Sequence, residues 1–332
     1  MSCNFLRDSR TFLSVTLALP VAWAFFRRST HRLQQIPKHH ERVLIIGASS
    51  GIGRELALRY ASRGARLCIV SRREEIQKVV TECIALAPVR PAENWPHPGG
   101  ASIYGMQADI SDTGDMVRLR EKVESEWQGV DTVIVCAGVS ALLPLMEVAG
   151  LKGNGSKFDP PQADVEGIQR TVDVANAAAR VNYIGPLISA VTFLPILQSS
   201  SVSPSIVLIS SLGAIIPAPT RSIYGSTKSA SLMLYQALSI EHSAVTFTLC
   251  IPTTVEGNFR ASAVDGGSVR EADPNTHGLK IQDVARRCIQ AVDAREKYIF
   301  MPWWYSRLGH LMYWWFPAFV EKQARKKYAF TV

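Results

Sequence analysis

Tyr224 and Lys228 stand four residues apart in Tyr224-Gly-Ser-Thr-Lys228, a spacing that puts both on one face of a helix. A free tyrosine has a pKa of about 10, too high for a base at neutral pH. A lysine ammonium beside it favours the phenolate and lowers that value. Such a pair can give a proton to a carbonyl oxygen during reduction, or take one from an alcohol during oxidation. The spacing alone is common by chance and fits an exposed helical pair equally well. Its weight depends on what else the chain carries.

The second cluster lies far upstream, at Gly47-Ala-Ser-Ser-Gly51-Ile-Gly53. An apolar, β-branched run at Arg42–Ile46 precedes it and reads as a buried strand. Arg54–Arg63 follows, with Leu56, Ala57, Tyr60 and Ala61 at helical spacing. Strand, glycine turn and helix form the setting a dinucleotide site requires. Glycines let the backbone approach a pyrophosphate, and the helix N-terminus offers free N–H groups and a positive dipole. Gly47, Ser49, Ser50, Gly51, Ile52 and Gly53 are the candidate contacts. An ordinary glycine-rich strand–helix turn is the plainer alternative.

The G-x-x-x-G-x-G spacing resembles the short-chain dehydrogenase/reductase family. That resemblance extends over about Arg42 to Phe300 and implies a catalytic set of Asn182, Ser211, Tyr224 and Lys228. Ser211, thirteen residues before Tyr224, is expected to hydrogen-bond the reacting oxygen and stabilise its developing charge. Asn182 is expected to hold a water that links the lysine to solvent; a polar residue breaking a helix before Gly185-Pro186 is the alternative. The resemblance also places Asp109 near an adenine, although a role beside Ser111 at a helix start fits as well. Ala137 and Gly138 match the family's segment after the fourth strand, while Val135 and Cys136 replace its two asparagines. Pro252 matches the turn over a nicotinamide, where Val255 is a further candidate contact. Thr253 and Gly257 depart from the family's glycine and threonine there.

The second apolar run, Arg66–Val70, ends at Ser71-Arg72-Arg73, with no acid before Glu74. A site preferring NAD(H) needs a carboxylate here for the ribose 2′-hydroxyl. Two guanidinium groups suit a 2′-phosphate instead. NADP(H) is therefore expected over NAD(H), although Arg73 also fits a solvated basic turn. No histidine or cysteine spacing suggests a metal site.

Strands are expected over 42–46, 66–71, 103–107, 132–135, 205–209, 245–251 and 297–301, alternating with helices. That order predicts an α/β fold, a doubly wound parallel (Rossmann) sheet in a single domain over 42–300. Pro88–Gly100 reads as a surface loop. Gly150–Gln162 reads as an insertion, either near one wall of the site or on the surface.

The formal net charge is +8, and it resides in the termini: residues 1–42 carry +5 and 307–332 carry +4. A nucleic-acid-binding domain would present a basic face instead. Phe12–Phe26 is apolar for fifteen residues, short of the ~20 that span a bilayer. It reads as a short anchor, an interfacial segment or a cleaved signal, with residues 1–41 as anchor and basic linker. Arg27, Arg28, Arg32 and Lys38 outnumber Arg7 and Arg10, so the catalytic domain is expected to face the cytosol. The tail at 301–332 holds four of the seven tryptophans within thirteen residues, followed by Lys322, Arg325, Lys326 and Lys327. This composition suits the interface of an anionic membrane. An aromatic helix packed on the core or on a partner subunit is the alternative.

Together these features predict a membrane-associated NADP(H)-dependent oxidoreductase at the endoplasmic reticulum. It would interconvert a ketone and a secondary alcohol on a steroid-, terpenoid- or lipid-like molecule, resembling the hydroxysteroid and lipid-type members of the family. The resemblance also implies homodimers through the helices carrying Asn182 and Tyr224. A membrane-bound NADP(H)-binding scaffold or sensor with little turnover is the second reading.

Overall fold

The computed structural model describes residues 32–88, 102–153, 157–270 and 273–330. The apolar segment at 12–26 and most of the loop expected at 88–100 lie outside these residues.

Short β-branched runs form seven strands: β1 (Arg42–Ile46), β2 (Arg66–Ser71), β3 (Ile103–Gln107), β4 (Thr132–Val135), β5 (Ser205–Ile209), β6 (Thr246–Pro252) and β7 (Tyr298–Met301). They pair in parallel in the order β3-β2-β1-β4-β5-β6-β7. Strands of a parallel sheet are covered on both faces, so both side-chain sets are apolar. Leu44, Ile46, Val133, Val135, Ile206 and Leu208 share one core layer with Met116, Phe193 and Tyr235. Val43, Ile45, Leu67, Ile69, Ile134 and Val207 share the other with Leu56, Tyr60, Val284 and Cys288.

The first layer is closed by α3 (Thr113–Trp127), α5 (Gly185–Ser200) and α6 (Ser222–Glu241). The second is closed by α1 (Gly51–Ser62), α2 (Ile76–Leu86) and α7 (Ile281–Ala294). Between them in the chain, α4 (Val165–Ala179) runs into α5 through a π-helical turn at Arg180–Ile184. Such turns insert one residue and re-aim a side chain. The combined helix Val165–Ser200 is, among the described residues, the one long and apolar enough to cross a membrane. Its α5 half is packed in the core beside Phe193 and Leu197.

At the N-terminal ends of the strands an ionic cluster fixes residues that precede β1. Arg32 is fully buried; its Nη1 lies 2.9 Å from Glu41 Oε1, and its Nη2 donates to Thr132 Oγ1 at 2.7 Å. Arg42 makes a two-pronged pair with Asp131, both bonds 2.9 Å. Burying these charges is tolerated because each has an opposite charge within hydrogen-bonding reach.

The described part of Gly150–Gln162 forms a two-residue ribbon, Lys152–Gly153 with Phe158–Asp159. It lies on the surface and contributes nothing to the cavity described below. After β7 the chain adds α8 (Trp303–Trp315) and α9 (Pro317–Lys327), which pack on each other.

Candidate active site

The strand order reverses between β1 and β4, and in open α/β sheets that switch point is where ligands bind, outside the C-terminal strand ends. A cavity of 1040 Å³ lies there. Residues following the first six strands line it: Gly47 after β1, Arg72 and Arg73 after β2, Ala108 after β3, Ala137 and Gly138 after β4, Ser211 after β5, and Thr253 after β6.

Close packing requires the glycines. A Cβ on Gly47 would fall 2.4 Å from Ala137 N, and its φ of +96° is one that L side chains rarely adopt. A Cβ on Gly53 would fall 2.1 Å from Gly47 O. Gly53 therefore seats α1 against the turn rather than facing the cavity. Gly51 lines the cavity, and a Cβ there would meet no protein atom within 4 Å. Bare backbone at the start of α1, with Ser49, Ser50 and Ile52 beside it, fits a pyrophosphate. The residues present thus fit a nicotinamide dinucleotide.

Val135 and Cys136, which depart from the family's asparagines, settle into apolar roles. Val135 is a core residue, and the N–H groups of Cys136 and Ala137 both donate to Ile46 O, at 2.9 and 3.0 Å. Burial pushes the Cys136 thiol up to about 12, so it stays neutral.

Tyr224 and Lys228 line the cavity from successive turns of α6. Lys228 Nζ donates to Ile209 O at 3.1 Å, at the end of β5. Burial holds the lysine down to about 8, so the amine is still mainly cationic at neutral pH. The Tyr224 ring meets Phe259 edge-on, with centroids 6.0 Å apart. Ser211 caps a 3₁₀ turn at Leu212–Ala214, its Oγ accepting from Gly213 N at 3.2 Å.

Asn182 sits in the π-helical turn and is fully buried behind this group. Its Oδ1 accepts from Val139 N at 2.9 Å, while Nδ2 donates to Val139 O at 3.0 Å and to Thr227 Oγ1 at 3.1 Å. The amide ties the loop after β4 to the helix carrying the tyrosine and lysine. A Cβ on Gly138 would lie 3.2 Å from both Asn182 Oδ1 and Lys228 Nζ. Gly138 thus leaves the space these two polar groups share.

Asp109 does not line the cavity, although Ala108 and Ile110 do. Its Oδ1 accepts from Ser111 N at 2.8 Å and Ser111 Oγ at 2.7 Å, and its Oδ2 lies 3.8 Å from Arg72 Nη1. It acts through the arginine and the start of α3, whose N-cap is Asp112. Pro252 and Val255 line the wall, held by Leu279, whose N–H donates to Thr254 O at 2.9 Å.

Sequence spacing missed several cavity residues. Arg221, the N-cap of α6, stands three residues before Tyr224. Ser140 comes from an irregular loop, and Phe259 and Arg260 from the short 3₁₀ turn Phe259–Ser262, neither with a periodic signal. The far wall is the tail: Trp304, Tyr305, Leu308 and Met312 of α8, and Phe319 and Val320 of α9.

Known proteins align with this arrangement. A chicken (Gallus gallus) hydroxysteroid 11-beta-dehydrogenase 1-like protein is 27% identical, over 86% of each chain. An 11-beta-hydroxysteroid dehydrogenase A of Sesamum indicum is 26% identical, over 82% of this chain and 70% of that one. Among solved structures, a short chain dehydrogenase/reductase from Burkholderia phymatum in complex with NAD covers 83% of this chain and 95% of its own, with a TM-score of 0.64 at 20% identity. A Sphingobium yanoikuyae short-chain dehydrogenase in complex with NADPH covers 82% and 91%, with a TM-score of 0.59 at 22% identity. The profile described as short chain dehydrogenase matches residues 41–266, the stretch that supplies the glycine turn, Asn182, Ser211, Tyr224 and Lys228. The chain therefore belongs to the short-chain dehydrogenase/reductase family and is an oxidoreductase acting on CH–OH or C=O groups.

Proposed function

We propose that this enzyme uses NADP(H) to interconvert a ketone and a secondary alcohol on a lipophilic molecule at a membrane surface. The observation that carries the reading is one continuous cavity. It holds Ser211, Tyr224 and Lys228 on one wall and the apolar residues of α8 and α9 on another. A polar substrate gains little from Leu308, Met312 and Phe319; a fused-ring or long-chain molecule gains the burial of its apolar area.

In this reading the Lys228 ammonium favours the phenolate, so Tyr224 can pass a proton to the carbonyl oxygen or take one from the alcohol. Ser211 hydrogen-bonds that oxygen as charge develops. Asn182 keeps the loop after β4 and α6 in register. When bound, the nicotinamide supplies or accepts the hydride. Arg72 and Arg73 line the cavity beside the glycine turn, where their forks suit a 2′-phosphate. The two solved relatives hold NAD and NADPH respectively, so the preference rests on these arginines.

The tail also supports membrane contact. Beside the residues of α8 and α9 that line the cavity, Trp303, Leu311, Trp314, Trp315 and Phe316 do not line it and are exposed. Aromatic side chains with lysines nearby suit the bilayer interface, and an apolar substrate would reach the cavity from there. The test is oxidation of NADPH and of NADH by the detergent-solubilised protein over a panel of lipophilic ketones, alongside Tyr224→Phe. Tyrosine-dependent turnover favouring NADPH is expected. Full activity in Tyr224→Phe would overturn the mechanism. Cofactor binding with no turnover, in either direction, would favour a scaffold.

A further inference from the structure

We propose that α9 is a lid on the cavity, hinged at Phe316 and held shut by a latch between Tyr328 and Arg221. It then governs access for any ligand of that wall, ketone or not.

Phe319, Val320, Gln323 and Ala324 line the cavity at helical spacing, followed by Lys327 and Tyr328. Yet the helix that presents them is lightly held. No residue of α9 is buried, and in α8 only Ser306 is. By contrast α6 buries six residues, Lys228 among them. Segments with few buried apolar contacts open locally at a small fraction of the global stability.

The two ends of α9 are held differently. At its start Phe316 leaves the helical conformation, with φ −137° and ψ +61°, and Pro317 opens the new helix. Proline has no N–H to continue the hydrogen-bond ladder of α8. One non-helical residue between two helices can absorb a rotation that leaves both intact. At the far end the Tyr328 ring centroid lies 5.7 Å from Arg221 Cζ, and a cation over an aromatic face is attracted to it. Arg221 is a fixed post. It is buried at the N-cap of α6, its Nη1 donating to Ser140 Oγ and Ala141 O, each at 3.1 Å. The latch therefore ties the end of the lid to the helix that carries Tyr224 and Lys228. Releasing it lets Phe319, Val320 and Ala324 swing off the cavity and uncovers its apolar wall.

Hydrogen exchange of the backbone amides at 320–326, read by mass spectrometry on the detergent-solubilised full chain, measures the open population. Tyr328→Ala removes the cation–π contact and should exchange there about 2- to 30-fold faster than the wild type. Tyr328→Phe keeps the ring and should exchange like the wild type. Arg221→Gln should loosen α9 to the same degree, and combining it with Tyr328→Ala should add nothing further. If Arg221→Gln does not fold, the alanine and phenylalanine variants decide. With a ketone that is turned over, Tyr328→Ala should raise kcat and KM together, as a looser lid does. Unchanged exchange in Tyr328→Ala overturns the latch. Faster exchange with both kinetic parameters unchanged overturns the lid. Absence of any ketone turnover would sink the ketone reading alone and leave the exchange comparison to decide the lid.

Discussion

Lys228 destabilises the fold at neutral pH, and the size of that cost can be measured. Burial holds its amine down to about 8 from an ordinary 10.5. Below about pH 8 the folded and unfolded chains both carry the proton, and the fold bears the full cost of the buried charge. Between about 8 and 10.5 the folded chain releases its proton first, so stability rises with pH. The added stability is complete above 10.5 and is lost as pH falls through about 8. At about 1.36 kcal/mol per pH unit the shift corresponds to roughly 3 kcal/mol. Lys228→Met removes the titration at similar side-chain length, but gives up the bond to Ile209 O, worth about 1 kcal/mol. The variant should therefore be roughly 2 kcal/mol more stable than the wild type near pH 7, lose that advantage as pH approaches about 10, and lose turnover throughout. Urea unfolding of both proteins in the same detergent, at several pH values, measures the difference. A stability difference that stays constant over this range would refute the buried-cation account.

Four other outcomes are open to direct measurement. Changing Ser71-Arg72-Arg73 to Ser-Asp-Ala should move the kcat/KM ratio toward NADH by about tenfold or more; an unchanged ratio removes the case for a 2′-phosphate site. Asn182→Leu strands Val139 N and Val139 O and takes a donor from Thr227 Oγ1 and should cost about 2–4 kcal/mol in urea unfolding, with an undiminished midpoint counting against its bracing role. Gly47→Ala would put a Cβ 2.4 Å from Ala137 N, so affinity for NADPH should fall by about tenfold or more in a fluorescence titration; normal affinity would mean the two turns need not touch. Trp314 and Trp315 are 76% and 77% exposed, and changing both to Ser should lower co-sedimentation with anionic vesicles severalfold. Unchanged co-sedimentation would place membrane contact elsewhere.

The seven strands were legible because a parallel sheet buried on both faces demands short, continuous β-branched runs, and Arg42–Ile46, Arg66–Ser71 and Ser205–Ile209 are such runs. The glycine turn and the Tyr224–Lys228 pair were legible for a local reason. Their chemistry depends on residue type within a few positions, so spacing carries it. Long-range placement does not leave that trace. Asp109 has the residue type for a cofactor contact or for a role beside Ser111, and the folded chain turns it to Ser111 and to Arg72. Arg32 read as one more charge beside a membrane segment, but the fold buries it against Glu41 and Thr132. The tail's composition marked it as apolar and basic without saying what it faces. Tertiary structure alone decided that one side of α8 and α9 lines the cavity that Tyr224 and Lys228 also line. It also brought Arg221, Arg260 and Lys327 to the cavity that Tyr224 lines, from positions up to about a hundred residues apart. Sequence patterns record the local rules of strands, turns and helix faces, whereas the meeting of distant side chains depends on the packing of the whole sheet.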